Sequence, residues 1–548
     1  MNSIWQRALR NSWLTPVILF LLCGMRNIDL PGLYMDAVNP DYLAARFLHP
    51  ALHNPVYELP SYFFNILGNY YHGVQNYYVA VPFLAFFGSS VTSIRLAQML
   101  FGAIIVAGCT SIVQRISRSN ALALACGVAL ATEIAFIASF RDQNYIVLGG
   151  FAWLTLALLV LFPRNLPPEA DRAISHRRIF VSGIFCGLAA YGYFVQIFFF
   201  PAMLLLTLRQ GAFTGRTFMI WCAGVAVGLL PYAFGYFSMY LALGGIHPMM
   251  ESLQAGLTTL QPMQAGGSVT RNLVEVFDFA RFAVSDRENE LMALGTALGS
   301  TWGTIKFGML CFCSIALFAG LLANLARRRG AIIDLMMGML PISFLCVSAV
   351  FGSRLGAHHF SVLVPLMYVL TALLVARVIV QPLRKRGSPT VARAAIVVLT
   401  VSAVIANFCQ QQAYLNELNR TGGARRSSSA LTTLADQARD TGQHSIYAFP
   451  DWGFFTSFAV LTENSVPYVL DISPAAIANA RAANDGRNEI RLVYWDDKDQ
   501  QRYTDALKAA NVGSVEQADF RQRDGTAAFH MLRAHFIPVN TAKINGLK

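Results

Sequence analysis

The chain has 548 residues, of which 55% are hydrophobic and only 13% charged, and its mean hydropathy is +0.46. Soluble proteins carry about 25% charged residues, so a soluble cytosolic enzyme is excluded, as are disorder, collagen-like repeats and coiled coil. The net charge of +12 is unevenly placed: residues 1–410 hold 27 basic and 15 acidic side chains, residues 411–548 hold 15 of each. A mainly α, polytopic membrane domain over 1–410 is therefore expected, followed by a water-soluble domain over 411–548. The basic excess belongs to the membrane part, which argues against nucleic acid as a partner.

A membrane helix needs about 20 apolar residues. Such runs centre on 13–29, 94–114, 119–139, 144–162, 179–192, 194–208, 217–241, 305–325, 331–351, 360–380 and 391–409, which predicts eleven spans. The first run lacks a small-residue cleavage site and is read as a span, not a signal peptide. The stretch 77–88 is too short to cross and is expected to be interfacial or re-entrant. All nine cysteines lie in or beside apolar runs, without a CxxC spacing, and read as packing residues.

Basic residues alternate between connections. Arg7 and Arg10; Arg115 and Arg118; Arg164, Arg172, Arg177 and Arg178; Arg209 and Arg216; Arg327, Arg328 and Arg329; and Arg384, Lys385 and Arg386 mark one face. The short loops of the other face carry only Arg141 and Arg354. The positive-inside rule then predicts a cytoplasmic amino terminus in a plasma (bacterial inner) membrane. Loops 30–93 and 242–304 and the tail face the periplasm or the cell exterior.

Loop 30–93 is dense in Tyr, Phe, Asn, Pro and His, residues suited to the membrane–water boundary. Its segment DYLAARFL has helical spacing, with Asp41 placed as an N-cap. In the tail, LNRTGGARRSSS reads as a linker. Beyond it, helical and strand patterns alternate, which predicts an α/β domain with a mainly parallel sheet. No GxGxxG, P-loop or Gly-x-Ser-x-Gly occurs there, and nothing in it looks catalytic.

Asp36 and Asp41 follow the first span on the outer side, where a carboxylate could act as general base; a solvated loop residue and a helix cap are the structural alternatives. Asp142 sits in a very short outer loop, either in chemistry or as a cap beside a snorkelling Arg141. Glu133 lies inside the third span, a functional candidate by position unless it pairs with Arg95 or Lys306. Arg354, His358 and His359 cluster where a lipid phosphate would lie. His53, His72 and His247 are scattered outer histidines, with Glu58 near the first two; a divalent metal ion could draw ligands from them, though they have no zinc-motif spacing.

The segment YHGVQNYYVAVPFLAFFGSSVTSIRLAQMLFGAIIVAG resembles C-type membrane glycosyltransferases, in the branch of protein O-mannosyltransferases and lipid A aminoarabinose transferases. Tyr77-Tyr78, Phe87-Gly88 and Arg95 follow that family's order, and GSRLGAHHFSVLVPLMYVL is similar to its late Arg-aromatic-Pro segment. The resemblance implies a glycosyltransferase using a polyprenyl-phosphate-linked sugar donor and a lipid, glycan or protein acceptor. It implies Asp36, or Asp41 as the alternative counterpart, as the catalytic base, with Asp142 in the place of the family's next acidic residue. It puts the donor phosphate near Arg354, His358 and His359. It also implies a divalent metal ion held between a first-loop group, Glu58 or His72, and His247. A transporter or flippase of lipid-linked sugars is the main rival; it would favour internal repeats and spans broken at the midplane. A membrane receptor with a sensing tail is the second.

Overall fold

The structure is a computed structural model describing residues 12–537, except 51–53, 56–57, 164–173, 212, 260–268, 328–331, 442–443 and 485. Arg7, Arg10, Arg164, Arg172, Arg328, Arg329 and His53 lie outside the described residues. Among the described residues six helices are long and apolar enough to cross a membrane: Val91–Ser117, Asn144–Leu161, Thr301–Ala326, Ile333–Phe351, Ala357–Lys385 and Pro389–Thr421. The pair Gly215–Gly228 and Leu230–Leu243, bent by 41°, makes a seventh if taken as one span. The other four expected spans are shorter helical pieces: Leu14–Met25, Asn120–Ala131, His176–Gly192 and Phe194–Gln210. By length and apolarity, six or seven of the eleven expected spans are met by single helices or a bent pair among the described residues.

The breaks have local causes. Pro231 opens Leu230–Leu243, where its missing N–H costs no helical bond. Glu133 interrupts the expected span 119–139 because its carboxylate accepts from Ala135 N at 3.0 Å and so starts a new helix, Ile134–Ala138. Helices His176–Gly192 and Gly215–Gly228 approach through glycines. A Cβ on Gly224 would stand 2.2 Å from Phe180 O, and one on Gly228 2.2 Å from Ile184 O. This is the small-residue contact that membrane helices use to pack backbone against backbone.

Strands β1 (Leu67–Asn69) and β2 (His72–Gly73) pair within the first long loop. The tail carries a five-stranded sheet in the order β4-β3-β5-β7-β6: β3 (Ser445–Ala448), β4 (Tyr468–Val469), β5 (Glu489–Tyr494), β6 (Val512–Arg521) and β7 (Ala527–Phe536). Only β3, β4 and β5 run parallel; β7 is antiparallel to β5 and β6. The expected mainly parallel sheet is thus corrected to a mixed one. The polar alternation of VGSVEQADFR masked β6, whose side chains are mostly exposed.

The expected boundary near 410 falls inside Pro389–Thr421, which runs unbroken out of the membrane domain. The expected linker is a packed junction. Gly422 and Gly423 end that helix at φ 75° and 97°, values glycine adopts without penalty. A Cβ on Gly423 would meet Ser427 O at 2.1 Å, and one on Gly32 would meet Ser428 O at 2.1 Å. First loop and tail share one hydrophobic core, with Met35, Val38 and Leu43 against Leu434, Phe458 and Phe529.

Candidate active site

Two buried arginines hold the start of the first long loop. Arg95 donates to Ile28 O at 2.7 Å and Pro31 O at 2.6 Å. Arg141, expected to snorkel, is 4% exposed and donates to the carbonyls of Gly24, Arg26, Asn27 and Leu30. A guanidinium has five donors in a rigid fork, so each arginine ties several carbonyls of one strand of chain. Thr456 Oγ1 donates to Met35 O at 3.1 Å from the tail side. The short 3₁₀ turn Met35–Val38, which carries Asp36, is gripped from both sides.

Asp36 lines a cavity of about 550 Å³ together with Asn39, His72, Gln143, His358 and Trp452. Burial raises the Asp36 pKa above the ordinary carboxylate value, opposed by a hydrogen bond from Tyr34 and by the positive charge of Arg426. The Oδ1 of buried Asn39 has no hydrogen-bond partner among the described residues. His72 stacks on Tyr193 with rings 5.6 Å apart at 8°, and burial pushes its pKa down to about 4. Tyr193 Oη lies 3.2 Å from His359 Nε2, and the His358 and His359 rings are 3.9 Å apart. His358 Nδ1 is 3.3 Å from Gln143 Nε2 and 3.8 Å from Glu288 Oε1.

The predicted residues separate accordingly. Asp36, His72 and His358 meet at the cavity. His359 stands behind it, buried, with Gly356 N–H donating to its Nδ1 at 2.9 Å. Arg354 is exposed in the turn Gly352–Arg354. Asp41 occupies the N-cap position of Tyr42–Leu48 but makes no capping bond. Instead it is 1% exposed and accepts from Gln98 Nε2 at 2.9 Å. Asp142 is likewise buried and accepts from Asn144 N at 2.9 Å, one residue before the N-cap Gln143 of the next helix. Burial pushes both carboxyls up to about 7. Glu133 pairs with Lys306 at 2.5 Å, not with Arg95.

The residues present do not fit the metal ion that the resemblance implies. Glu58 is engaged by Arg46 at 3.0 Å and exposed His247 by Glu251 at 3.3 Å, while His72 Nδ1 lies 3.0 Å from Gly73 O. Among the described residues no three His, Cys, Asp or Glu side chains converge as ligands.

Four cavity neighbours escaped the sequence reading: Gln143, Glu288, Trp452 and Arg426. Glu288 had a legible signal, since SDRENE is the densest acidic stretch of its loop. Buried near Asp142, its carboxyl is raised well above the ordinary value. The other three are ordinary loop residues whose position only the folded chain reveals.

No protein-family model and no curated protein matches this sequence. Solved structures do. ArnT from Cupriavidus metallidurans in the apo state superposes with a TM-score of 0.60 at 12% identity, covering 96% of this chain and 99% of that one. The chain has the C-type glycosyltransferase fold. The same ArnT bound to undecaprenyl phosphate gives 0.57 at 12% identity, with the same coverage. The Archaeoglobus fulgidus oligosaccharyltransferase complexed with Zn and sulfate gives 0.49 at 13%, covering 96% of this chain and 74% of that one.

Proposed function

We propose that this protein transfers a glycosyl group from a polyprenyl-phosphate donor to an acceptor hydroxyl at the outer face of the membrane, with Asp36 as base. The observation that carries this reading is the shared cavity: a half-buried carboxylate faces His72 and His358 across a space large enough for a sugar. ArnT was solved with undecaprenyl phosphate bound, and this chain's shared fold supports a donor of that class. Asp142 and Asp41 are buried and do not line this cavity, so the reading gives them no contact with substrate.

The chemistry is a single displacement. The acceptor oxygen attacks the anomeric carbon while the Asp36 carboxylate takes its proton. The bond from that carbon to the donor phosphate oxygen breaks on the opposite face, and the configuration inverts. The leaving phosphate needs no protonation to depart. His358 is placed to donate a hydrogen bond to it, and Asn39 Oδ1 to accept one from a sugar hydroxyl. Orientation in a closed cavity and charge stabilisation supply the acceleration; no step is routed through a metal.

The test is transfer from a radiolabelled short-chain polyprenyl-phosphate sugar to membranes of a strain lacking the chain. Asp36→Asn should abolish transfer with its elution and melting unchanged, while Asp41→Asn keeps measurable turnover. Near-normal turnover by Asp36→Asn with a dead Asp41→Asn would move the base to Asp41. The amino terminus is proposed to be cytoplasmic and the tail outside. In intact cells, Ser428→Cys should then label with an impermeant reagent and Ser388→Cys should not.

A further inference from the structure

The sheet domain carries a second cavity, of about 620 Å³, that the reaction above does not use. Its position follows from the strand order. The connection leaving β3 runs to β4 on one side; the connection leaving β5 runs to β6 on the other. The carboxyl ends of β3 and β5 therefore flank a topological switch point, where open α/β sheets form their ligand crevice. Asp451 and Trp452 follow β3, Trp495 and Asp496 follow β5, and all four line the cavity. Arg426 and Tyr34 close it from the membrane side.

The groups in it are built, not scattered. Trp495 stacks on Phe454 with ring centroids 3.8 Å apart, and its indole N–H is already donated to Trp452 O at 2.8 Å. Its ring therefore offers an apolar edge and face, not a donor. Asp451 locks the crevice by accepting from Trp495 N at 2.9 Å and Tyr503 Oη at 2.5 Å. Asp496 is exposed and Arg426 points the other charge inward from the turn Arg425–Ser427. A flat indole beside a carboxylate and a guanidinium matches a pyranose ring, which has an apolar C–H face and a rim of hydroxyls. A polyphosphate is disfavoured, because the lining carboxylates Asp451, Asp496 and Asp499 outnumber Arg425 and Arg426.

We propose that this crevice binds a saccharide portion of the acceptor, so that the acceptor is a glycan or glycolipid. The inference rests on the proposed transfer reaction and names its acceptor class. Two residues join the crevice to the catalytic cavity: Trp452 lines both, and Tyr34 lines the crevice while hydrogen-bonding Asp36. A sugar seated on the indoles presents a neighbouring hydroxyl to that carboxylate.

The full chain in phospholipid nanodiscs, free of sugar-bearing detergents, would be titrated with methyl glycosides of hexoses, N-acetylhexosamines and uronic acids, followed by saturation-transfer NMR. At least one should bind saturably, about tenfold or more weakly in Trp495→Phe and in Asp496→Asn. Asp496 is exposed and Phe retains the stacking on Phe454, so these variants should fold. Binding should survive Asp36→Asn and the addition of a short-chain polyprenyl phosphate. No saturable binding, binding unchanged in both variants, or displacement by the polyprenyl phosphate would each overturn the assignment. If Asp36→Asn retains transfer while Trp495→Phe and Asp496→Asn weaken saccharide binding, the catalytic reading fails and the crevice stands.

Discussion

Two buried carboxylates sit in opposite circumstances. Glu133, in the membrane interior, spends both oxygens on protein: Oε1 receives Lys306 Nζ at 2.5 Å and Ala135 N at 3.0 Å, and Oε2 receives Tyr368 Oη at 2.5 Å. Asn407 extends the network to Trp302 and Thr132. Asp36, in the loop after the first apolar helix, opens onto a cavity whose other walls carry an Asn39 oxygen without a hydrogen-bond partner among the described residues and an imidazole. An intramembrane acid is a functional candidate by default, but satisfaction overrides position. Asp36, hydrogen-bonded by Tyr34, still lines a cavity, whereas Glu133 lines none of comparable polarity among the described residues.

That contrast can be broken most directly by exchanging the consequences of mutation. Asp36→Asn should lower turnover by about 10²–10⁴-fold, the usual effect of losing a general base, with no loss of thermal stability in the same preparation. Lys306→Met should do the reverse, destabilising the fold by about 3–5 kcal/mol by leaving Glu133 buried and uncompensated. The double variant Glu133→Gln/Lys306→Met should recover most of that stability, read by melting in detergent. A stable Lys306→Met enzyme without activity would give Glu133 a role in chemistry.

Smaller effects sharpen the site itself. His358→Ala should raise the apparent donor Michaelis constant several-fold more than it lowers the saturated rate, because a charge-assisted phosphate contact is lost. Arg354→Ala, exposed and outside the cavity, should do less; equal effects would restore the arginine as the principal phosphate ligand. Lastly, Asp41 and Asp142 give stability a pH dependence. Their folded-state pKa of about 7 lies above the ordinary carboxylate value. Each therefore favours the folded state fully below about pH 4, and that contribution is lost as pH rises through 7. Asp41→Asn should flatten the melting temperature between about pH 4 and 7 relative to wild type, by differential scanning fluorimetry.

Much of the architecture was written in composition, because membrane helices and a charged tail need different residues everywhere along their length. Asp36 was noticed for a related reason, as a carboxylate just beyond the first apolar run, and the folded chain places it on a cavity wall. Asp41 was read as a cap because N-cap preference is local, whereas its actual partner Gln98 lies 57 residues away. Arg426 was read as linker because Gly-Gly and Ser-Ser-Ser suggest freedom. Here those small residues permit close backbone contact with Gly32 and Pro31. Trp452 joins the site through strand order, which no local pattern encodes, whereas Glu288 stood in a legible acidic stretch.

The helix Pro389–Thr421 has 33 residues, about 50 Å at 1.5 Å per residue, against a hydrocarbon layer of about 30 Å. Its outer end passes through Gly422 and Gly423, pinned against Ser427 and Pro31, straight into the turn bearing Arg426. It is a strut with one foot in the bilayer and the other beside Asp36. Spans meet a change in bilayer thickness by tilting, and tilting a strut of this length by a few degrees moves its far end by ångströms. Any tilt of this helix is thereby carried to the turn bearing Arg426, whose positive charge acts on Asp36.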